Sequence, residues 1–158
     1  MKEKIVIYQV LPRLFGNKNT TRKENGTIEE NGCGKLNNFT DDVLARIHDM
    51  GFTHIWFTGV IRNATQTNYS SFGIPTQHAE VVKGKAGSPY AITDYYDIDP
   101  DLAENVSLRM TEWERLIDRT HRPFCRRSFA IGVSPSLVIY STHFANSSTV
   151  PEPTLPLM

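Results

Sequence analysis

The stretch SPYAITDYYDIDPDL, residues 88–102, concentrates the side chains of this sequence that are best suited to chemistry. It carries three tyrosines and four aspartates and contains no Lys or Arg. Sugars present apolar ring faces edged by hydroxyls, so proteins bind them with aromatic rings and with carboxylates or amides. The stretch therefore favours carbohydrate contact. It is equally compatible with a structural role, in which Tyr95 and Tyr96 pack against a sheet while three carboxylates solvate and cap a turn at Pro100, namely Asp97, Asp99 and Asp101.

Other common chemistries find little support in the sequence. DIDPD has the spacing that opens a calcium loop, but Leu102 and Leu108 stand where that loop needs Gly and Glu. GCGK, residues 32–35, lacks the first Gly and the final hydroxyl of a phosphate-binding loop. The five histidines are scattered, without the paired spacing of a zinc site. The sequence predicts no catalytic residue, no metal site and no cofactor.

Two hydrophobic runs flank the best helix signal in the chain. IVIYQVL, residues 5–11, is rich in β-branched residues and predicts a strand buried on both faces. A polar, glycine-containing loop follows, from Gly16 to Lys35. Thr40 then suits the N-cap of an amphipathic helix with Gly51 at its end. FTHIWFTGV, residues 52–60, predicts a second strand.

These elements together predict a βαβ unit with parallel strands. Functional residues in such folds lie beyond the carboxyl ends of the strands, so the segments that follow 5–11 and 52–60 should share one face of the fold. A further helix is expected from Ser107 through MTEWERLIDRTHR. After Pro123 the chain has no Lys and one acid, Glu152, and we expect a poorly ordered tail with a strand at SLVIYS.

Composition narrows the class of partner. The 158 residues carry 17 basic and 17 acidic side chains, so neither nucleic acid nor an anionic membrane is favoured. The apolar run at the N-terminus reaches Pro12 without a cleavage site, which argues against a signal peptide and predicts a cytoplasmic protein. Cys33 and Cys125 are then expected to be reduced thiols. No apolar run is long enough to cross a bilayer.

Three runs resemble, in order, the N-terminal part of the α-amylase family of glycoside hydrolases (glycoside hydrolase family 13), and bacterial α-amylase-like members in particular. They are IYQVLPRLF, GFTHIWFTGV after the helix, and SPYAITDYYDIDPDLA. The resemblance covers about residues 4–122. It implies an α/β fold in which residues 1–122 form the first two to three βα units of an incomplete TIM (β/α)8 barrel with parallel strands. Residues 123–158 would then be a divergent, irregular tail.

The resemblance also assigns residues by position. Tyr90 matches the family tyrosine that stacks on the sugar next to the scissile bond, so it is the one predicted substrate-binding residue. Asp94 matches an acidic position to which we assign a structural role. The implied ligand is an α-1,4-linked glucan or maltooligosaccharide. Calcium is common in the family, but its ligands there lie mostly beyond the region of resemblance, so none is predicted here.

The family pattern stops at Arg122. Neither the third strand that ends in D-x-V-x-N-H nor the later strands that carry the Asp/Glu/Asp catalytic set are found in the sequence. Hydrolysis with retention needs two carboxyl groups about 5 Å apart, so we predict a truncated hydrolase that is inactive alone. Two alternatives stay open: a non-catalytic glucan-binding module, and a partial barrel completed by another polypeptide.

Overall fold

The computed structural model describes residues 4–124, 131–134 and 137–140, and its fold is α/β. Within these residues lie the helices α1 (Ile28–Asn31), α2 (Asp41–Asp49) and α3 (Arg109–Phe124). The strands are β1 (Ile7–Val10), β2 (His54–Thr58), β3 (Ile61–Asn63), β4 (Ile92–Ile98), β5 (Ile131–Ser134) and β6 (Leu137–Tyr140).

The larger sheet has the strand order β1-β2-β6-β5. Strands β1 and β2 pair in parallel, from Ile7 opposite His54 to Val10 opposite Phe57, which confirms the predicted parallel pair. On its other side β2 pairs with β6, which is antiparallel, and β6 forms a second antiparallel pair with β5. The strand predicted at SLVIYS is thus confirmed, and β5 and β6 give part of the predicted irregular tail a regular structure.

A smaller sheet joins β3 and β4 in antiparallel fashion. Neither strand was predicted, because the segments that contain them are polar and lack a clean alternation of apolar residues. The register slips between Ile61, which faces Ile98, and Arg62, which faces Asp94. One step on β3 therefore matches four on β4, so residues 95–97 form a bulge.

Helix α2 follows its sequence signals closely. Thr40 accepts a hydrogen bond from the backbone N–H of Val43, as its predicted capping role requires. Gly51 has φ of +92°, in the left-handed region that glycine adopts without strain. Leu44 and Ile47 are buried, whereas Met50 is exposed.

Helix α3 begins at Arg109, slightly later than the predicted start at Ser107. A 3-10 turn at Val106–Leu108 precedes the helix, and Asn105 caps this turn by accepting from the N–H of Ser107. The carboxylate of Glu112 reaches back to accept from the N–H groups of Glu104 and Asn105, at 3.0 and 2.9 Å. Because Glu112 is buried, these two bonds provide partners for a carboxylate that has left water.

The hydrophobic core lies between the larger sheet, α2 and α3. Phe57 of β2 packs edge-on against both Phe39 and Trp113, and Phe39 also stacks on Phe15. The other fully buried apolar side chains include Leu36, Leu44, Ile55, Leu102 and Leu116. The prediction that the first strand is buried on both faces was wrong. β1 is an edge strand, and Ile7 is 41% exposed.

The loop between β1 and α2 is ordered by its own polar side chains. Thr27 and Glu30 form a capping box that starts the one-turn helix α1. The missed helix has a sequence signature, a Thr followed three residues later by Glu. Gly34 lies where a Cβ would come within 2.2 Å of the carbonyl oxygens of Pro12 and Phe15, so only glycine fits there.

Candidate functional site

A shallow groove lies at the carboxyl ends of β1 and β2. Its volume is about 390 Å³. We call it the Tyr90 groove and define it by the residues that line it: Gln9, Leu11, Thr58, Pro89 and Tyr90. Because β1 and β2 are parallel, their last residues meet at one edge of the sheet, and this is where the sequence predicted the functional face.

Tyr90 offers the groove an aromatic surface. The side chain is 65% exposed. Residues 88–91 form a turn in which the N–H of Ala91 donates to the carbonyl of Ser88 at 3.0 Å. An exposed aromatic ring on a fixed backbone is ready to stack on a flat apolar partner without large ordering costs.

Two glycines allow the Tyr90 segment to lie close to the sheets. Gly59, at the end of β2, has φ of +74°, and a Cβ there would come within 2.5 Å of the Pro89 side chain. Gly87 also has φ of +74°, and a Cβ there would be 1.8 Å from the carbonyl oxygen of Ala64. Both positions therefore require glycine, and the fit sets where Tyr90 stands.

The polar groups of the groove are uncharged. Gln9 donates from its side-chain amide to the hydroxyl of Thr58 at 3.1 Å, which links the ends of β1 and β2. An amide and a hydroxyl can donate to or accept from a ligand hydroxyl. Of the residues that the structure describes, no carboxylate lines this groove.

The acidic side chains of residues 88–102 face arginines of the same chain. Arg62 contacts Asp94 and Asp97 at 2.8 Å each. Arg109, at the start of α3, binds Asp97 with Nε at 2.5 Å and with a second nitrogen at 2.9 Å. Asp97 thus ties the bulge in β4 to β3 and to α3. The structural role expected for Asp94 agrees with its ion pair.

A second set of charges forms what we call the carboxylate cluster, made of Arg13, Lys35, Tyr69, Asp99 and Asp101. Asp101 is fully buried and accepts from Arg13 and from the Tyr69 hydroxyl, both at 2.7 Å. Lys35 donates to the backbone carbonyls of Asp101 and Ala103. These contacts anchor the loop after β1 and the loop after β3 to the end of β4.

Asp99 and Asp97 differ in the direction in which the fold shifts their pKa. Burial raises the pKa of Asp99 to about 7, and the nearby Asp101 carboxylate adds to the increase. Burial acts on Asp97 in the same direction, but the hydrogen bond and charge of Arg109 outweigh it and hold the pKa of Asp97 below its usual value. Burial and the adjacent Asp101 raise the pKa of Tyr69, so the phenol stays a hydrogen-bond donor.

The structural role predicted as the alternative for residues 88–102 is only partly correct. Asp99 does cap the turn at Pro100, since it accepts from the N–H of Asp101. The carboxylates of Asp97, Asp99 and Asp101, however, are buried in ion pairs and hydrogen bonds rather than solvated. Tyr95 and Tyr96 are exposed, Tyr96 at 93%, so they do not pack against a sheet.

Among residues 4–124, 131–134 and 137–140, no group of three or more His, Cys, Asp or Glu side chains is placed to hold a metal ion. No helix in the same part of the chain is long and apolar enough to span a bilayer.

Two groove residues escaped sequence reasoning. Gln9 and Thr58 are the polar side chains near the carboxyl ends of β1 and β2. The rule that places function at the carboxyl ends of parallel strands could have selected both.

Comparison of the chain with protein-family models, with curated proteins and with solved structures finds no match.

Proposed function

We propose that the Tyr90 groove binds α-1,4-linked glucans. The observation that carries the proposal is an exposed tyrosine ring beside an amide and a hydroxyl at the carboxyl ends of two parallel strands. An aromatic ring can stack on the apolar face of a sugar while Gln9 and Thr58 bind hydroxyls at its edge. The choice of an α-glucan rests on the sequence resemblance to the α-amylase family.

On this proposal, the unit β1–α2–β2 corresponds to the first βαβ unit of an α-amylase-type (β/α)8 barrel. The order of elements and the parallel pairing of β1 with β2 support this correspondence. The antiparallel β6 occupies the edge of β2 at which a barrel would place its third parallel strand. The barrel therefore does not continue from β2 in this arrangement.

The proposed activity is binding without hydrolysis. A retaining glycosidase uses a nucleophile and an acid/base carboxyl about 5 Å apart across one bond. Among the described residues, none that lines the groove is a carboxylate, and Asp97 and Asp101 face Arg13, Arg62 and Arg109 instead. Their charges are thus engaged with cations of the chain.

Calorimetric titration with maltotriose and maltoheptaose tests the binding. We expect saturable binding that weakens by about tenfold or more in Tyr90→Ala, which corresponds to about 1.4 kcal/mol. Tyr96→Ala is the matched control, because this ring is exposed but outside the groove. Wild-type protein that binds neither sugar, or that binds equally well after Tyr90→Ala, contradicts the proposal.

An assay of reducing ends released from soluble starch tests the proposal that the protein does not hydrolyse glucans. We expect no release above that of a buffer blank from homogeneous protein. Hydrolysis that persists through repurification would show that carboxylates outside the groove act on the substrate, and the binding-only assignment would then be wrong.

A further inference from the structure

The tripeptide Glu-Asn-Gly occurs twice in the loop between β1 and α2, at residues 24–26 and 30–32. A glycine after asparagine leaves its backbone nitrogen sterically open, because glycine has no Cβ. That nitrogen can attack the preceding side-chain carboxamide. Since Asn25 and Asn31 have the same immediate neighbours, a difference in their reactivity has to come from the fold.

Asn31 is held on every side. Its carboxamide accepts from the backbone N–H of Lys23 at 2.7 Å and donates to the carbonyl of Lys23 at 2.8 Å. Its own N–H donates to Thr27, and its carbonyl accepts from the Asn17 side chain. The N–H of Gly32 donates to Ile28 at 2.8 Å, as the end of α1. Attack on the Asn31 carboxamide requires several of these bonds to open together.

Asn25 lies in a contrasting environment. It is exposed and sits in a turn that one backbone bond closes, from the N–H of Gly26 to the carbonyl of Lys23 at 3.0 Å. Its φ is +52°, in the left-handed region that is less favourable for a residue with a Cβ. The carboxamide oxygen lies close to Gly84, and none of the side-chain hydrogen bonds described for this loop involves Asn25. Attack of the Gly26 nitrogen on this carboxamide therefore requires only one hydrogen bond to open, the bond from Gly26 to Lys23.

We propose that Asn25 is a site of spontaneous deamidation and that the fold protects Asn31. The nitrogen of Gly26 loses its proton and attacks Cγ of Asn25, the bond from Cγ to Nδ2 breaks, and ammonia leaves. The five-membered imide then adds water at one of its two carbonyls and opens. The products are aspartate or isoaspartate, in which the main chain runs through Cγ, and the reaction consumes one water per ammonia released.

The modification adds a carboxylate to an exposed turn and leaves the anchors of the loop intact. The bonds from Asn31 to Lys23 and the ion pair between Lys23 and Glu30 do not involve the Asn25 side chain. We therefore expect the aged protein to keep its fold while its isoelectric point falls.

The two sites can be compared in one peptide. Trypsin cuts after Lys23 and after Lys35, and the fragment 24–35 contains both tripeptides. The full chain is incubated at mildly alkaline pH, natively and in concentrated urea, and the fragment is sequenced by mass spectrometry at intervals. Natively we expect Asn25 to convert faster by about tenfold or more, because local opening of Asn31 breaks several hydrogen bonds. In urea the two rates should be similar.

The control variant is Asn25→Gln, whose longer side chain forms the corresponding ring poorly. It should remove the fast conversion and leave the slow one at Asn31 unchanged. Equal native rates at the two sites would overturn the proposal, and so would a native preference that persists unchanged in urea. Absence of native conversion at Asn25 over a time in which both sites convert in urea would overturn it as well.

Discussion

The Tyr90 groove and the carboxylate cluster both lie near the carboxyl ends of β1 and β2, yet they use their side chains in opposite ways. The groove exposes an aromatic ring and neutral polar groups. The cluster buries Asp99 and Asp101 with Arg13 and a tyrosine hydroxyl. Both draw on the one stretch, residues 88–102. Its aromatic start remains available to a ligand, whereas its acidic end is used to hold loops together.

The difference follows from the free energy of removing charge from water. A buried carboxylate that lacks a partner is strongly destabilising, whereas one that has cations and donors can be retained. Asp101 has such partners in Arg13 and Tyr69. Asp99 lies 3.6 Å from Arg13, and its raised pKa shows that its charged form is less well compensated. A tyrosine ring at the surface has a modest unfavourable effect, and Tyr90 can remain exposed without compensation.

The largest expected effect is on the cluster. Asp101→Ala removes the acceptor of Arg13 and Tyr69, and we expect a loss of about 3 kcal/mol or more in the free energy of unfolding. Asp94→Ala is the matched control. Its side chain is about a third exposed and Arg62 keeps Asp97 as partner, so the expected loss is about 1 kcal/mol or less. Urea unfolding at neutral pH measures both, and equal losses would contradict the distinction between the two groups.

The pH dependence of stability separates Asp99 from Asp97. Because the pKa of Asp99 is about 7 in the folded protein against 3.8 ordinarily, the folded state holds a proton that the unfolded chain has already lost between these values. The contribution of Asp99 is therefore fully present below about pH 4 and is lost as the pH rises through 7. Asp99→Asn should flatten this decline in urea unfolding across that range.

Asp97 acts in the opposite direction and in a lower window. Its folded pKa lies below 3.8, so its contribution is present above that value and is lost as the pH falls further. Asp97→Asn should therefore reduce stability at neutral pH and weaken the decline in acid. A decline between pH 4 and 7 that survives Asp99→Asn would show that another group carries it.

A smaller effect is expected for the tyrosine hydroxyl of the cluster. Tyr69→Phe keeps the ring but leaves the buried Asp101 without one of its donors, at 2.7 Å in the wild type. We expect a loss of about 1–2 kcal/mol in the free energy of unfolding. Tyr95→Phe, at an exposed ring, should be neutral. Thermal or urea unfolding measures both variants, and equal stability of the two would contradict the role of the Tyr69 hydroxyl.

The smallest effect on stability is expected in the groove. Tyr90→Ala should change the free energy of unfolding by no more than about 0.5 kcal/mol, because the side chain is mostly exposed. The same variant should show the largest loss of glucan binding in the calorimetric titration. A strongly destabilised Tyr90→Ala would place this ring with the structural side chains of the stretch and remove the contrast between the two regions.

Local signals in the sequence predicted several elements well. Thr40 and Gly51 bracket α2 because capping and positive φ depend on residues within one turn. The parallel pair of β1 and β2 followed from two apolar runs separated by that helix. The strands β3 and β4 were missed because their pairing joins Asn63 to Ile92 across a long polar segment, and such pairing leaves no periodic pattern in either strand.

The fate of the aspartates could not be read from their spacing. Asp97 and Asp101 look alike in sequence, but Asp97 meets Arg62 and Arg109 whereas Asp101 meets Arg13 and Tyr69. These partners are 12 to 88 residues away. No local rule chooses among 17 basic residues for such pairs.

The sequence by itself determined where the parallel strands and α2 form and that Tyr90 follows them in an aromatic, acidic stretch. Those features depend on propensity, capping and apolar spacing, which act within a few residues. Only the tertiary structure decided that the acids turn inward to arginines while Tyr90 stays at the surface. Burial of a charge depends on which distant cation reaches it, and that is fixed only when the loops close over the core.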